Sequence, residues 1–445
     1  MTELIRQRAN ESALNGLHYQ AEKYLRQLIA LHPSAPEHWL ALASSHFSRG
    51  CFKDAIDDLI RFQKLGGVSQ HTNFLFAKCH NALGDFLKAN EFYRRALSDD
   101  ASSKVQWEVG LQNLLFGRHG EGWSQYQARL KVHSLDYLHI YPFQFAPWSG
   151  FELNQTILIH GEQGLGDELM FSQFFNELIE KAKEFNAKLY VATNSVLFEL
   201  LQESYPEIEF LLHDRGDLDV QNWGLGYVPD WLAQLPKHTL HAPIGSLPYL
   251  LKTEGVANKK GISPNAWQVQ YFESLLHQKI QASGWANPNG LKVGVAWCAN
   301  NRTTFGLAKS IPLQTFENLS RIDGITLIGL QNAEYGSQAQ DFPNVRMIDL
   351  HSELHGFNKT AGLIANLDLV ISIDTSYAHL AAAMNKPTWV LLKKNHDWRF
   401  GLKDQESYFY SQMDLFRQES LGDWSVPLQA IESKARQLIK ELALL

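Results

Sequence analysis

Cysteine is scarce: Cys51, Cys79 and Cys298 are the only three in 445 residues. They are too few and too scattered for a disulfide framework, which points to a reducing compartment. A basic excess is missing as well. Forty Lys and Arg stand against 47 Asp and Glu, a formal charge of −7, and this argues against nucleic-acid binding, which needs a positive footprint. No stretch approaches the roughly 18–20 uninterrupted apolar residues of a membrane helix. The longest candidate, around Leu363 to Ile373, is broken by Asn366 and Asp368, so no transmembrane segment is expected. The opening residues, MTELIRQRANESALNG, are charged and helical in pattern and lack the apolar core of a secretory signal. The expected location is the cytoplasm. Neither a Gly-Lys-Ser/Thr phosphate loop nor a GxGxxG fingerprint occurs, which disfavours ATPase and dinucleotide chemistry. The histidines do not show zinc spacing, and Asp217-Leu218-Asp219 is a lone acidic pair with no obvious partner ligand. No metal or cofactor is expected.

What is present is core-forming material, 45% hydrophobic with 12 Trp and 25 Phe, in a chain long enough for about three domains. The first quarter repeats. Gly16, Gly50 and Gly84 are spaced by 34 residues, as are Ala9, Ala43 and Ala77, then Ala21, Ala55 and Ala89, then Leu25, Leu59 and Tyr93. Four residue classes in one register match the tetratricopeptide (TPR) pattern: small residues where two helices cross, glycine at the turn, large apolar residues between neighbours. A fourth, degenerate unit from about Lys104 to Arg129 reads as a cap. Such solenoids either serve as scaffolding or grip a peptide on the concave face, and the second use is favoured here.

After a Pro/aromatic connector (Tyr141, Pro142, Pro147, Trp148) the period changes to alternating strands and helices. Strands are expected at Ile157–His160, Lys188–Thr193 and Ile208–His213, with one helix from Asp167 to about Phe185. The segment from Gly216 to Gly261 resists assignment. Beyond a linker at Asn287 to Gly290 the alternation restarts at Leu291–Trp297, Ile325–Leu330, Val345–Leu350, Leu369–Ile373 and Thr388–Leu392, and a last helix runs from about Pro427 to Leu445. Strand–helix alternation implies parallel sheets. The expected fold is an all-α repeat region over 1–130, followed by two Rossmann-like α/β halves over 150–285 and 290–445 that face a cleft.

Two strand-to-helix loops carry the candidate chemistry. The first, Gly161 to Asp167, follows a short apolar strand and opens a helix at Asp167 and Glu168. Gly164 and Gly166 shape it, and His160 and Glu162 flank it as structural or orienting residues. Asp167 is either a helix N-cap or a carboxylate aimed into the cleft as a general base. The second loop places Asp374, Thr375 and Ser376 after a strand, with His379 in the first turn of the next helix. It is either a capped helix with a core histidine or a phosphate site at the carboxyl end of an open sheet. Lys309 follows the first strand of that half and would reach the same phosphates. Gln331 ends another strand and would border a base or ribose; Lys393, Lys394 and Arg399 follow a third.

At these residues the chain resembles TPR-fused GT-B glycosyltransferases related to glycosyltransferase family 9, the heptosyltransferases. The likeness rests on GEQGLGDE (Gly161–Glu168), KSIPL (Lys309–Leu313), DLVISIDTSYAHLAAA (Asp368–Ala383), DWRF (Asp397–Phe400) and GDW (Gly422–Trp424). The resemblance implies that Asp167 is the catalytic base, that Asp374, Thr375, Ser376 and His379 bind donor phosphates, and that Lys309 is their cation. Residues 150–285 would be the acceptor domain and 290–445 the nucleotide-sugar domain. Ser376 stands where the heptosyltransferases have Gly, and they lack the repeats. In plan the chain is similar to TPR-containing bacterial flagellin glycosyltransferases, some of which use CMP-linked sugars. The implied activity is metal-independent transfer from a CMP-, UDP-, ADP- or GDP-sugar to Ser or Thr of a protein, flagellin among the candidates. The alternatives are a heptosyltransferase-like enzyme acting on a glycan or lipopolysaccharide, and a non-catalytic TPR adaptor with a vestigial transferase domain.

Overall fold

The computed structural model describes residues 1–132, 145–213, 230–253, 261–299, 304–402 and 407–442. Tyr141, Pro142, the Asp217–Asp219 pair and residues 443–445 lie outside these. The chain divides into two compact units, one made of the amino-terminal helices together with Lys394–Trp398, the other of the remaining residues.

The first unit is a series of helical hairpins: α1 (Thr2–Leu14) with α2 (His18–Leu31), α3 (Pro36–Ser48) with α4 (Phe52–Lys64), α5 (Thr72–Ala82) with α6 (Phe86–Asp99), and α7 (Ser103–Leu115) with α8 (His119–Tyr126). Gly16, Gly50, Gly84 and Gly117 turn the four hairpins with φ between 72° and 77°, a left-handed conformation that glycine adopts without a Cβ penalty. All nine of the repeated Ala, Leu and Tyr positions named above are buried. The small ones let paired helices approach, and each large one contributes about 1.5–3 kcal/mol by leaving water. The degenerate fourth unit is therefore a complete hairpin. Lys394–Trp398 joins this unit from far along the chain. Trp398 stands edge-on to Trp123, ring centroids 5.7 Å apart, and packs on Tyr126, while the Asn395 amide donates to the Ala82 carbonyl at 2.9 Å.

The second unit holds two wholly parallel sheets. The first comprises β1 (Ala146–Pro147), β2 (Thr156–His160), β3 (Lys188–Thr193), β4 (Glu209–Leu212) and β5 (Leu240–Pro243), in the order β1-β5-β2-β3-β4. The second comprises β6 (Leu291–Ala296), β7 (Ile325–Gly329), β8 (Met347–Ile348), β9 (Leu369–Ile373), β10 (Thr388–Leu392) and β11 (Met413–Arg417), in the order β11-β10-β9-β6-β7-β8. Central strands β2, β7, β9 and β10 are buried at every residue, as expected of parallel strands covered on both faces.

Several expectations change in detail. The helix expected from Asp167 to Phe185 is two helices, α9 (Leu165–Phe171) and α10 (Phe175–Glu184), separated by one tighter turn. There the Ser172 hydroxyl donates back to the Leu169 carbonyl, and the Ser172 carbonyl accepts from Tyr205 Oη, which takes it out of the α-helical ladder. The strand expected at Val345–Leu350 contracts to Met347–Ile348, an edge strand paired on one side only. Within the segment that resisted assignment lies β5, and β11 joins the far edge; neither was expected. The last helix spans Ser425–Leu442, starting earlier than expected because Asp423 accepts from the Ser425 amide at 2.9 Å.

Candidate active site

The first loop leaves β2 in the middle of its sheet. Glu162 is buried and accepts from the Gly245 amide at 2.8 Å, tying the loop to the turn after β5. His160, also buried, lies in stacked contact with His241, with His160 Nε2 and His241 Nδ1 3.3 Å apart. Burial holds His241 below the ordinary imidazole pKa. Glu168 is buried too and accepts from the Thr193 hydroxyl at 2.6 Å and the Asn194 amide at 3.3 Å, locking the start of α9 to the end of β3. Three of the four polar side chains around the loop thus fasten the loop itself.

Asp167 is the fourth. One oxygen, Oδ2, accepts from the Gly164 amide at 3.1 Å, the reciprocal half of a helix cap. The other, Oδ1, is ion-paired with Arg399 Nη2, and the same nitrogen donates to Gln163 Oε1 at 3.1 Å. The cap and the aimed carboxylate, alternatives in the sequence, are two oxygens of one residue.

The second loop leaves β9. Thr375, in extended conformation, precedes the helix Ser376–Ala383, and its hydroxyl lies 3.0 Å from that of Ser372. Asp374 pairs with Lys309 Nζ at 2.5 Å, Lys309 closing a short helix over Thr304–Lys309. As an anion itself, Asp374 orients Lys309. Half-buried Lys393 has a lowered pKa, through burial first and then the charge of Lys309. His379 is buried, lies 3.1 Å from Tyr410 Oη through Nδ1, and stacks on Phe400. Burial pushes its pKa down to about 4; among the surrounding charges Asp374 and Asp167 raise it, Arg399 and Lys309 lower it. Near neutral pH it is an uncharged imidazole.

The two loops meet. Helix α9 packs against the helix Ser376–Ala383, and a Cβ on Gly166 would lie 3.1 Å from His379 Cδ2 and 3.7 Å from Ser376 Cα. Glycine is needed at 166 for this approach, not for its φ. The structure thereby brings Asp167, Gly166, Asp374, Ser376, His379, Lys309 and Arg399 to one place. Gln331 does something else: its Oε1 accepts from the amides of Trp297 and Cys298, at 3.1 and 3.0 Å, holding the exit of β6. Lys394 belongs with the helical unit, away from its neighbour Lys393 in allegiance. Sequence reasoning ranked Arg399 with ordinary solvated cations and did not single out Gln163 or Tyr410; for Arg399 the DWRF motif carried the signal. Among the described residues, no group of three or more His, Cys, Asp or Glu side chains is placed to hold a metal. The Asp217–Asp219 pair is outside them.

Residues 332–402, which contain the second loop and Arg399, match the family model described as glycosyltransferase family 9 (heptosyltransferase). Protein FlbA of Caulobacter vibrioides is 25% identical over 337 residues, 73% of this chain and 53% of that protein, so the chain spans about half the length of this curated relative. Among solved structures, the Escherichia coli ADP-heptose lps heptosyltransferase II is similar with a TM-score of 0.45 and 15% identity, covering 64% of this chain and 99% of that one. TTC0263, a thermophilic TPR protein in Thermus thermophilus, is similar with a TM-score of 0.26 and 17% identity, covering 30% and 74%. Residues 332–402 are thus a glycosyltransferase family 9 segment, and the chain as a whole resembles a glycosyltransferase of that family fused to TPR repeats.

Proposed function

We propose that this protein moves a sugar from a nucleotide-sugar to a Ser or Thr hydroxyl of a protein recruited by its helical repeats, flagellin among the candidates. The observation that carries the reading is the meeting of the two loops: a helix-starting carboxylate, Asp167, and a cation-lined helix start, Ser376 with Lys309, converge on the His379 imidazole. Asp167 removes the proton of the acceptor hydroxyl, a contribution of about 10²–10⁴ in rate. The helix start at Ser376 and Lys309 hold the donor phosphates and meet the charge that develops on the leaving nucleotide, where one well-placed donor is worth about 3–4 kcal/mol. In this reading side-chain cations fill the place of a divalent ion, and the two sheets form the walls of a cleft.

Thermal stabilisation by UDP, GDP, ADP and CMP and their sugars tests the donor half of the reading, since a ligand at 100 times its Kd adds about 2.7 kcal/mol. If none of the four raises the melting temperature, the reading fails. The family 9 match favours a second reading, a heptosyltransferase-like enzyme acting on a glycan or lipid-linked glycan. Labelled donor incubated with a cell extract separates the two. Label in the protein fraction, released by β-elimination, supports the first; label in the solvent-extracted glycolipid fraction supports the second.

A further inference from the structure

We infer that Arg399 is a latch, holding Asp167 in the donor-free protein and leaving it for a donor phosphate, so that acceptor activation waits for the donor. The inference rests on the proposed transferase reading and adds an order to it. As it stands the cluster is balanced by two ion pairs, Arg399 with Asp167 and Lys309 with Asp374, the four charges surrounding His379. A carboxylate paired with a guanidinium is a weakened base, because the neighbouring cation favours its ionised form. A diphosphate entering beside Ser376 adds negative charge that the cations can match only by giving up their carboxylates. Arginine suits the exchange, since its planar fork takes phosphate in a two-point, charge-assisted contact as well as it takes carboxylate.

The surroundings confine the exchange to a side chain. Arg417 Nη2 donates to the carbonyls of Phe400 at 2.8 Å and Gly401 at 3.2 Å, which fixes the backbone directly after Arg399. On the other side Gly166 is pressed against His379, and Glu162 and Glu168 fasten the loop that carries Asp167. Neither loop has to move. Rotation of Arg399 alone breaks its bonds to Asp167 and Gln163, leaving Asp167 capped by the Gly164 amide and still aimed by α9.

The test is a binding cycle that needs no turnover. Calorimetry measures the affinity of the full chain for inorganic pyrophosphate, UDP, GDP, ADP and CMP. It is repeated with Asp167→Asn, Arg399→Ala, the double variant and Arg399→Lys, each first checked for a native melting curve. The latch predicts that Asp167→Asn, which removes the competitor for Arg399, tightens the best of these ligands about tenfold, the worth of one charge-assisted hydrogen bond. In the Arg399→Ala background the same substitution should change nothing, and Arg399→Lys should restore part of the gain. An equal gain with and without Arg399 would mean simple charge repulsion by Asp167 and overturn the latch. No gain, or weaker binding, overturns it as well. If the wild-type chain binds none of the five probes, the transferase reading falls with it, and that outcome is distinct from the others.

Discussion

Arg399 and Asp167, 232 positions apart in sequence, form an ion pair in which the side chains are only 13% and 16% exposed. An arrangement so withdrawn from water is costly to build unless each charge is matched. Its use under the proposed reading is to keep a carboxylate ionised and aimed until it is needed. Asp167→Asn retains the shape and the Gly164 contact but cannot accept a proton. Transfer should fall by about 10²–10⁴, the usual worth of a general base. The measurement is nucleotide release in the presence of donor and acceptor, and near-normal release by the variant removes Asp167 from the mechanism.

Gly166 and Gly164 give a paired steric prediction. A Cβ at 166 would sit 3.1 Å from the ring of buried His379, whereas one at 164 would meet only the Asp167 carboxylate, at 3.5 Å. Neither glycine has positive φ. Gly166→Ala should therefore lower stability by about 1–3 kcal/mol, the ordinary cost of overpacking, and lower activity as well. Gly164→Ala should stay within about 0.5 kcal/mol of wild type in stability. Urea melts of the two variants side by side check the contrast; equal losses would mean that close approach to His379 is not what position 166 requires.

Much of this was legible in the residues alone, and the reason is physical. Helical hairpins are local, so a 34-residue period of Gly and Ala encodes them directly, and continuous apolar runs such as Leu369–Ile373 reveal buried parallel strands wherever they are long enough. Strand β5, Leu-His-Ala-Pro, is short and half polar, and nothing in those four residues signals that it would pair beside β2. Asp167 and the Asp374–His379 loop stood out because a strand, a loop and a helix start occur in sequence order. The role of Arg399 depends on two loops more than 200 residues apart coming together, and that is a property of tertiary packing alone.

His379 links the site to pH. Its folded pKa of about 4 lies below the ordinary imidazole value of 6.5, so between those values the unfolded chain binds a proton that the folded chain refuses. The associated stability is fully present above pH 6.5 and is lost as pH falls toward 4. The difference of 6.5 − 4 corresponds to a loss on the order of 3 kcal/mol. His379→Gln has no such titration. Its unfolding free energy should change less than that of the wild type between about pH 7 and pH 4.5, and identical slopes would show that His379 is not the group responsible.

Lys309 should act on donor binding and little on the fold. It is about one-third exposed, and its pair with Asp374 is partly screened by water, so its share of stability is small. Lys309→Met should raise the donor KM about tenfold, the loss of one charge-assisted contact to phosphate, with a melting temperature close to wild type. An unchanged KM would place the phosphates elsewhere. A collapse in melting temperature with unchanged KM would mark the pair as structural.

Trp398 tests the unexpected membership of Lys394–Trp398 in the helical unit. Its indole is 9% exposed and packs on Trp123 and Tyr126, two of the largest side chains of the fourth hairpin. Truncating a buried aromatic of this kind costs about 3–5 kcal/mol. Trp398→Ala should therefore loosen α7 and α8 first, seen as faster amide exchange over Ser103–Tyr126. Helices α1 and α2, several hairpins away in an array whose repeats touch only their neighbours, should keep their protection. Trp398→Phe retains a ring against both partners and should recover most of the loss. Uniform deprotection of all four hairpins by the alanine variant would mean that the unit unfolds as a single block, and unchanged exchange over α7 and α8 would mean that the segment is not part of it.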